Sequence, residues 1–226
     1  MKRFQTAGIA ALAALWSVGS QALLIDGFDT DASAAVVVAA PGTDSVFTAD
    51  SGAGMIGDRT IDINKTVGGS GFANGAYADV TGSLLSLANG PATNSIITST
   101  WTFGSTDLTE GGTQAGLLLA LPNPIDNDLY ISFSINGGPE YEQLFLNGTS
   151  GNAFAFNFAN FANAGAAANA TSIAVKFRDG VAWDAQIDFI ETFPDPPPPP
   201  VVSEPASLAL FGLALAGLGW SRRRKA

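Results

Sequence analysis

The chain has 226 residues, including 26 glycines but no cysteine and no histidine. These absences exclude disulfides, thiolate zinc sites, cysteine nucleophiles, the Ser-His-Asp triad and histidine-ligated metals. Between Leu23 and Ser203 there are four basic and nineteen acidic residues, a net charge of −15 that excludes nucleic acid as a partner.

The first 22 residues predict a secretory signal peptide with a signal helix. Basic residues at positions 2 and 3 precede an apolar stretch at 7–18, and small residues follow it. We expect cleavage between Ala22 and Leu23, which makes the secretion translocon and signal peptidase the first partners. An uncleaved anchor is the alternative, but about 20 apolar residues are needed to span a bilayer.

Residues 23–193 predict one β domain, because short apolar runs alternate with polar residues and are separated by Gly, Asn, Asp and Pro. This pattern indicates an all-β, two-sheet, jelly-roll-like sandwich. Residues 159–170 predict a loop with one helical turn. The first and last strands are expected side by side, which would bring Asp26 near Asp188. The predicted strands are 23–28, 34–40, 45–49, 60–64, 77–81, 84–88, 96–103, 116–121, 129–135, 140–146, 153–158, 172–177 and 185–193.

Two acidic pairs are candidates for binding Ca²⁺, because this ion prefers oxygen ligands and both pairs fall in predicted loops. The first pair is Asp29 and Asp31, and the second is Asp126 and Asp128. Neither has the spacing of an EF-hand. The alternative is turn formation, in which Asp side chains accept hydrogen bonds from nearby backbone. No other cofactor is expected.

The segment 58–62 alternates charged and uncharged residues along a predicted strand. Asp58, Thr60 and Asp62 would share one face of that strand. We expect an exposed strand face with an ion pair, rather than a binding site.

Aromatic residues are candidates for carbohydrate binding, because a sugar ring can stack on an aromatic face. Trp183 beside Asp184 combines such a platform with a hydrogen-bond acceptor, and Tyr130 and Tyr141 are further candidates. Core packing is the alternative for the tryptophans, above all for Trp101 in its apolar strand.

Catalysis is not expected, although four glutamates leave glycoside hydrolysis as an alternative. A hydrolase would need two carboxylates about 5–5.5 Å or 6.5–9.5 Å apart. The sequence contains no motif that assigns such a pair. The glutamates in question are Glu110, Glu140, Glu142 and Glu191.

The end of the chain divides into a proline-rich spacer at 194–202 and a tail at 203–226. Consecutive prolines predict an extended polyproline II segment. In the tail, the apolar stretch 206–220 predicts a single transmembrane helix, and the basic cluster 222–225 would keep the end of the helix on the cytoplasmic side.

This tail resembles the PEP-CTERM sorting signal, whose usual Pro-Glu-Pro motif has a serine at its first position in this chain. The resemblance implies an exosortase-type processing enzyme as a partner. A permanent single-span tail anchor is the alternative. The residues that carry the resemblance are Ser203, Glu204, Pro205, Arg222, Arg223, Arg224 and Lys225.

Together these features predict a protein exported across the inner membrane, anchored transiently by its tail, and then placed at the cell surface or outside the cell. The expected function is structural or adhesive in an extracellular matrix, with extracellular polysaccharide as a candidate partner. The β domain itself loosely resembles lectin-like jelly rolls. A polysaccharide hydrolase and a permanently tail-anchored protein are the alternatives.

Overall fold

The computed structural model describes residues 22–30, 35–49, 54–68, 70, 74–179 and 181–195. The predicted signal helix, most of the spacer and the sorting tail with its transmembrane helix lie outside these residues. Within the described part of the chain, no helix has the length and apolar character needed to cross a membrane.

The described residues form β-strands and two short 3-10 helices, so the all-β class is confirmed. The 3-10 helices, Phe158–Asn160 and Ala164–Asn169, occupy the segment predicted as a loop with a helical turn. The strands are β1 (Leu24–Asp26), β2 (Val36–Val38), β3 (Gly42–Thr48), β4 (Asp58–Val67), β5 (Ala76–Thr81), β6 (Leu84–Asn89), β7 (Asn94–Thr106), β8 (Gln114–Leu121), β9 (Leu129–Ile135), β10 (Tyr141–Phe145), β11 (Gly151–Asn157), β12 (Ala170–Arg178), β13 (Asp184–Ile187) and β14 (Ile190–Pro194).

The described strands form one six-stranded sheet and two four-stranded sheets, in place of the two sheets predicted from the sequence. The six-stranded sheet has the order β10-β9-β12-β7-β4-β3, and the smaller sheets have the orders β1-β14-β8-β11 and β13-β6-β5-β2. The predicted last strand therefore divides in two, because β13 pairs with β6 whereas β14 pairs with β8. Between them, Asp188 and Phe189 exchange backbone hydrogen bonds with Ala120. One continuous segment thus connects the two smaller sheets.

A single hydrophobic core draws side chains from all three sheets. In β9 the alternation predicted from sequence is confirmed, since Leu129, Ile131, Phe133 and Ile135 are all fully buried. Strand β12 contributes Ile173, Val175 and Phe177 in the same way. Every second residue of a strand points to the same face, so the residues between these positions form the opposite face of the six-stranded sheet.

The first and last strands are neighbours, as the sequence predicts: β1 pairs with β14 in antiparallel orientation. Asp26 lies opposite Ile190 in this ladder. It is fully buried, whereas Asp188 is exposed. The two aspartates therefore lie in different environments and form no common site.

Asp26 is the centre of a buried polar network that connects β1 with the six-stranded sheet. Arg59 Nη1 of β4 donates to Asp26 Oδ2 at 2.6 Å, and Trp101 Nε1 of β7 donates to the same oxygen at 2.8 Å. The backbone N–H of Phe28 donates to Asp26 Oδ1 at 2.7 Å. Burial raises the pKa of Asp26 against the opposing effects of the Arg59 charge and these hydrogen bonds.

The predicted outward face is present, because Asp58, Thr60 and Asp62 alternate with buried residues. The ion pair expected on that face is buried instead: Arg59 lies on the opposite face, where its fully buried side chain pairs with Asp26. Lys65, on the same strand, is also buried, and its Nζ donates to the carbonyl oxygens of Ala39 and Asn74 at 3.0 and 2.6 Å. Two of the four basic residues between Leu23 and Ser203 are therefore interior.

Replacing Arg59 with methionine would leave the Asp26 carboxylate buried without its cation. We expect the free energy of unfolding to fall by about 3–5 kcal/mol. The matched control is Lys176→Met, which removes a cation from a partly exposed ion pair and should cost less than about 1 kcal/mol. Denaturant unfolding of the purified protein measures both values, and equal losses would contradict a structural role for the buried pair.

Candidate functional site

The outward residues of the six-stranded sheet form rows that cross all six strands. One row consists of Glu142, Ser132, Lys176, Thr98, Asp62 and Ser45, which oppose one another from β10 to β3. The next row consists of Leu144, Tyr130, Arg178, Ile96, Asn64 and Thr43. With a strand spacing of about 4.8 Å, each row is about 24 Å long. This outward surface is therefore long enough for an extended ligand that lies across the strands.

A cleft of about 520 Å³ lies on this surface over β3, β4 and β7 and is bounded by β12. Its volume is within the range of small-molecule sites, about 300–1,000 Å³. We call it the outer cleft, and its lining residues are Thr43, Asp44, Ser45, Asp62, Ile63, Asn64, Ile96, Thr98 and Lys176.

The polar side chains in the middle of the outer cleft have no hydrogen-bond partner among the described residues. This applies to Asp62, Asn64 and Thr98, which come from the neighbouring strands β4 and β7. A carboxylate, an amide and a hydroxyl next to one another offer both donors and acceptors to a ligand. The side chain of Ile96 adds an apolar contact beside them.

The other half of the same surface, over β9 and β10, has its charges paired. Lys176 Nζ donates to Glu140, and Ser132 Oγ donates to Glu140 Oε2 at 2.8 Å. Partial burial disfavours ionisation of Glu140, but the hydrogen bonds from Lys176 and Ser132 outweigh it and lower the pKa. Arg178 Nη2 donates to Glu142 Oε1 at 2.7 Å.

Asp62 is the carboxylate that gives the outer cleft its electrostatic character. Desolvation in the cleft raises the pKa of Asp62 above its ordinary value of 3.8, because partial burial disfavours the charged form. Lys176 is already neutralised by Glu140. The cleft therefore presents a net negative charge to a ligand.

Trp183 and Asp184 do not form the predicted aromatic platform with an adjacent acceptor. The indole of Trp183 is fully buried and Asp184 is exposed, because consecutive residues of an extended segment point to opposite faces. Trp101 is also fully buried, with its N–H on Asp26. Core packing is therefore confirmed for both tryptophans, and neither offers a face to a sugar.

The two predicted tyrosines lie on opposite faces of the six-stranded sheet. Tyr130 points outward, and the Arg178 guanidinium lies 4.9 Å from the centroid of its ring. Tyr141 packs edge-on against Phe156, with ring centroids 5.8 Å apart, and is tilted against Phe161. Only Tyr130 therefore shares a surface with the outer cleft.

Asp184 instead lines a second depression of about 380 Å³, on the outward face of the sheet β13-β6-β5-β2. We call it the Tyr77 groove. In the sheet register Asp184 opposes Ala88, which opposes Tyr77. Its lining residues are Tyr77, Ser86, Leu87, Ala88, Asn123, Pro124, Asp184, Ala185 and Gln186.

The acidic residues considered for Ca²⁺ make hydrogen bonds within the domain. Asp126 Oδ1 accepts the backbone N–H of Asp184 at 2.6 Å, and Asp128 Oδ1 accepts that of Asn147 at 2.8 Å. Asp29 Oδ1 accepts from Ser83 Oγ at 2.8 Å, and Asp31 lies outside the described residues. Among the residues that are described, no group of three or more acidic side chains could hold a metal ion.

The four glutamates do not assemble into one site. Glu140 and Glu142 are each held by a cation on β12. The pKa of Glu140 is lowered, which is the opposite of what a general acid needs. Glu191 is on β14, in a different sheet, and desolvation raises its pKa. Glu110 is exposed and accepts from the side-chain amide of Gln114 at 3.1 Å.

Sequence reasoning missed most residues of both depressions. Asn64 and Thr98 come from β4 and β7, whose separation in sequence gives no indication that they are neighbours. Tyr77 alternates with buried apolar residues in β5, and this alternation could have identified it as an outward-facing aromatic residue. Asp62 was correctly placed on an outward face, although no ligand was assigned to it.

Comparison with solved structures finds similarity to carbohydrate-binding proteins at low sequence identity. A family 11 carbohydrate-binding module from Clostridium thermocellum, in complex with a β-1,3-1,4-mixed-linked tetrasaccharide, is 12% identical with a TM-score of 0.40, covering 76% of this chain and 95% of that chain. The family 11 module of the C. thermocellum cellulase Lic26A-Cel5E is 11% identical with a TM-score of 0.39, covering 77% and 95%. An exo-β-1,3-galactanase from Phanerochaete chrysosporium with galactose is 15% identical with a TM-score of 0.23, covering 71% and 29%. At these TM-scores the likeness transfers neither a ligand nor a site.

No curated protein matches the chain. The match to a family model lies in the tail, outside the described residues. Residues 201–224 match the PEP-CTERM protein-sorting motif. The predicted resemblance of the tail is thereby confirmed, and the chain carries the sorting signal of an exported protein.

Proposed function

We propose that this chain is an exported, non-catalytic protein that is processed at its PEP-CTERM tail and binds neutral polysaccharide in the outer cleft. The observation that carries the proposal is the set of unpaired polar side chains in that cleft. Asp62, Asn64 and Thr98 keep their hydrogen-bonding capacity, whereas the charges on the other half of the surface are paired.

Hydroxyl groups of a sugar suit this set of side chains because each hydroxyl both donates and accepts hydrogen bonds. A carboxylate accepts from hydroxyls, and such charge-assisted hydrogen bonds are stronger than neutral ones. The length of the outward surface also suits a chain of sugar units. These features favour a polysaccharide over a compact ligand.

Charge favours a neutral polysaccharide over an anionic one. The cleft contains Asp62 and Asp44, and its one lysine is paired with Glu140. The segment between Leu23 and Ser203 carries a net charge of −15, which repels uronates and other polyanions at a distance. Binding of a neutral chain, by contrast, requires no compensation of charge.

The start of the domain agrees with the proposed cleavage before Leu23. Strand β1 begins at Leu24, one residue later, and Leu23 N donates to Thr192 Oγ1 of β14 at 2.8 Å. After cleavage this nitrogen would be the α-amino group, so the new end of the chain would already have a hydrogen-bond acceptor. Cleavage itself stays a prediction.

Binding is tested with a panel of soluble polysaccharides in which mixed-linked β-glucan, β-1,4-galactan and dextran are neutral and alginate is anionic. We expect a neutral member to bind and alginate not to bind at low ionic strength. Asp62→Ala should weaken that binding about 10- to 100-fold, the loss expected for a hydrogen bond to a charged group. The matched control is Asp188→Ala, an exposed carboxylate outside the cleft, measured like the others by isothermal titration calorimetry.

Two results would overturn the assignment of the outer cleft. One is an Asp62→Ala protein that binds the neutral polysaccharide with the same affinity and the same stoichiometry as the natural chain does. The other is alginate binding that equals or exceeds binding of every neutral member. Circular dichroism and thermal melting of each variant establish that a loss of binding does not come from unfolding.

Processing of the tail is tested by intact-mass spectrometry of the protein recovered from the cell surface or medium. We expect an N-terminus at Leu23 and a mass that lacks the apolar segment 206–220 and the basic cluster 222–225. Glu204→Ala should retain the uncleaved protein in the membrane fraction. Ser203→Pro, which restores Pro-Glu-Pro, should be processed at least as fast as the natural chain. Recovered protein that still contains residues 206–225 would contradict processing of the tail. If all of that protein is in the membrane fraction, the tail is a permanent anchor.

A further inference from the structure

The Tyr77 groove combines an aromatic side chain with hydrogen-bonding groups on the opposite side of the core from the outer cleft. Its elements are β5, β6 and β13, whereas the outer cleft is built on β3, β4, β7 and β12. Inward side chains of both sheets contribute to the same hydrophobic core, so the core separates the two depressions. No residue lines both depressions.

The floor of the groove is shaped by a small residue between two larger ones. Ala88 of β6 opposes Tyr77 on one side and Asp184 on the other. Two strand spacings, about 9.6 Å, therefore separate the tyrosine backbone from the aspartate backbone, with only a methyl group between them. This arrangement leaves room for a ring that contacts the aromatic side chain and the carboxylate together.

Tyr77 is held in place by a hydrogen bond within its own strand. Its hydroxyl donates to Asp79 Oδ2 at 2.9 Å, and the side chain is half-buried. A fixed ring loses little conformational entropy when a ligand binds. The face of an aromatic ring carries partial negative charge, which attracts the polarised C–H groups of a sugar.

The polar groups of the groove are also ordered before any ligand arrives. Asn123 Nδ2 donates to Gln186 Oε1, and Gln186 Nε2 lies 3.4 Å from Ser86 Oγ. Asp184 keeps its exposed carboxylate, while its backbone N–H is bonded to Asp126 Oδ1 at 2.6 Å. Burial and the nearby Asp126 charge raise the pKa of Asp184. The groove is lined by this carboxylate without any lysine or arginine, which matches a neutral ligand and opposes an anionic one.

From this geometry we propose that the Tyr77 groove is a second binding site for neutral polysaccharide, and that one copy of the domain cross-links two polysaccharide chains. The cross-linking part rests on the proposed binding in the outer cleft. Two sites on opposite faces cannot be occupied by the same short segment of a stiff chain. Each domain therefore joins separate chains, and many domains would connect a polysaccharide into a network through multivalent contacts.

The experiment uses the purified exported protein with the neutral polysaccharides of the panel and with short oligosaccharides made from them. Titration calorimetry should give about two oligosaccharides bound per natural chain, and light scattering should detect aggregation of the intact polysaccharide. Tyr77→Ala removes the stacking surface and Ala88→Leu fills the groove without removing a polar group. Both variants should reduce the stoichiometry to one and abolish cross-linking, while binding at the outer cleft persists. The matched control is Ala155→Leu, an exposed alanine on β11 away from both depressions, which should leave both measurements unchanged.

The possible results separate this inference from the proposed function. Unchanged stoichiometry and cross-linking in both groove variants would overturn the second site and leave the outer cleft as proposed. Loss of all binding in the groove variants, with normal binding by Asp62→Ala, would overturn the outer cleft. Failure of every panel member to bind the natural chain would overturn both. Size-exclusion chromatography of the free protein must show a monomer, because a dimer with one site per copy would also cross-link and would overturn the inference.

Discussion

The buried Asp26 carboxylate is the interaction on which the arrangement of the sheets depends. Arg59 and Trp101 of the six-stranded sheet both donate to one oxygen, and Phe28 N–H bonds to the other. Arg59 Nη2 also donates to the carbonyl of Thr30 at 2.8 Å. Since a buried charge is costly unless it is paired and hydrogen-bonded, β1 has one favourable position relative to β4 and β7. The network thereby fixes how a four-stranded sheet is placed against the six-stranded sheet.

The four basic residues between Leu23 and Ser203 are all buried or paired with a carboxylate. Arg59 and Lys65 are buried in the interior, whereas Lys176 is paired with Glu140 and Arg178 with Glu142. These pairs neutralise one half of the outward surface and leave the other half with unpaired polar groups in the outer cleft. The Tyr77 groove has the same character on the opposite face. Neither depression is lined by an unpaired lysine or arginine, which is why the proposed ligand is a neutral sugar.

Much of the fold could be predicted from the sequence, because alternation of apolar and polar residues determines which face of a strand is buried. The pattern identified β9 and β12 and their inward residues, and it predicted the pairing of the terminal strands. The pattern did not reveal that the ion pair of Arg59 is buried, because its partner Asp26 lies 33 positions away in sequence on another sheet. The proposed exposure of Trp183 was wrong, because the sequence does not show whether an aromatic residue next to an aspartate faces the core or the solvent. Both candidate sites depend on register between distant strands, as the pairing of Asp62 with Thr98 illustrates, and a single sequence does not reveal that register.

The position of β14 has a mechanical consequence. The chain leaves the domain at the end of β14, and this strand lies between β1 and β8 with an antiparallel ladder on each side. A pulling force directed along this strand would load both ladders in shear. Hydrogen bonds loaded in this direction share the force, whereas an edge strand peeled from a sheet loses them one at a time. The position of β14 is therefore suited to resist tension along its own direction.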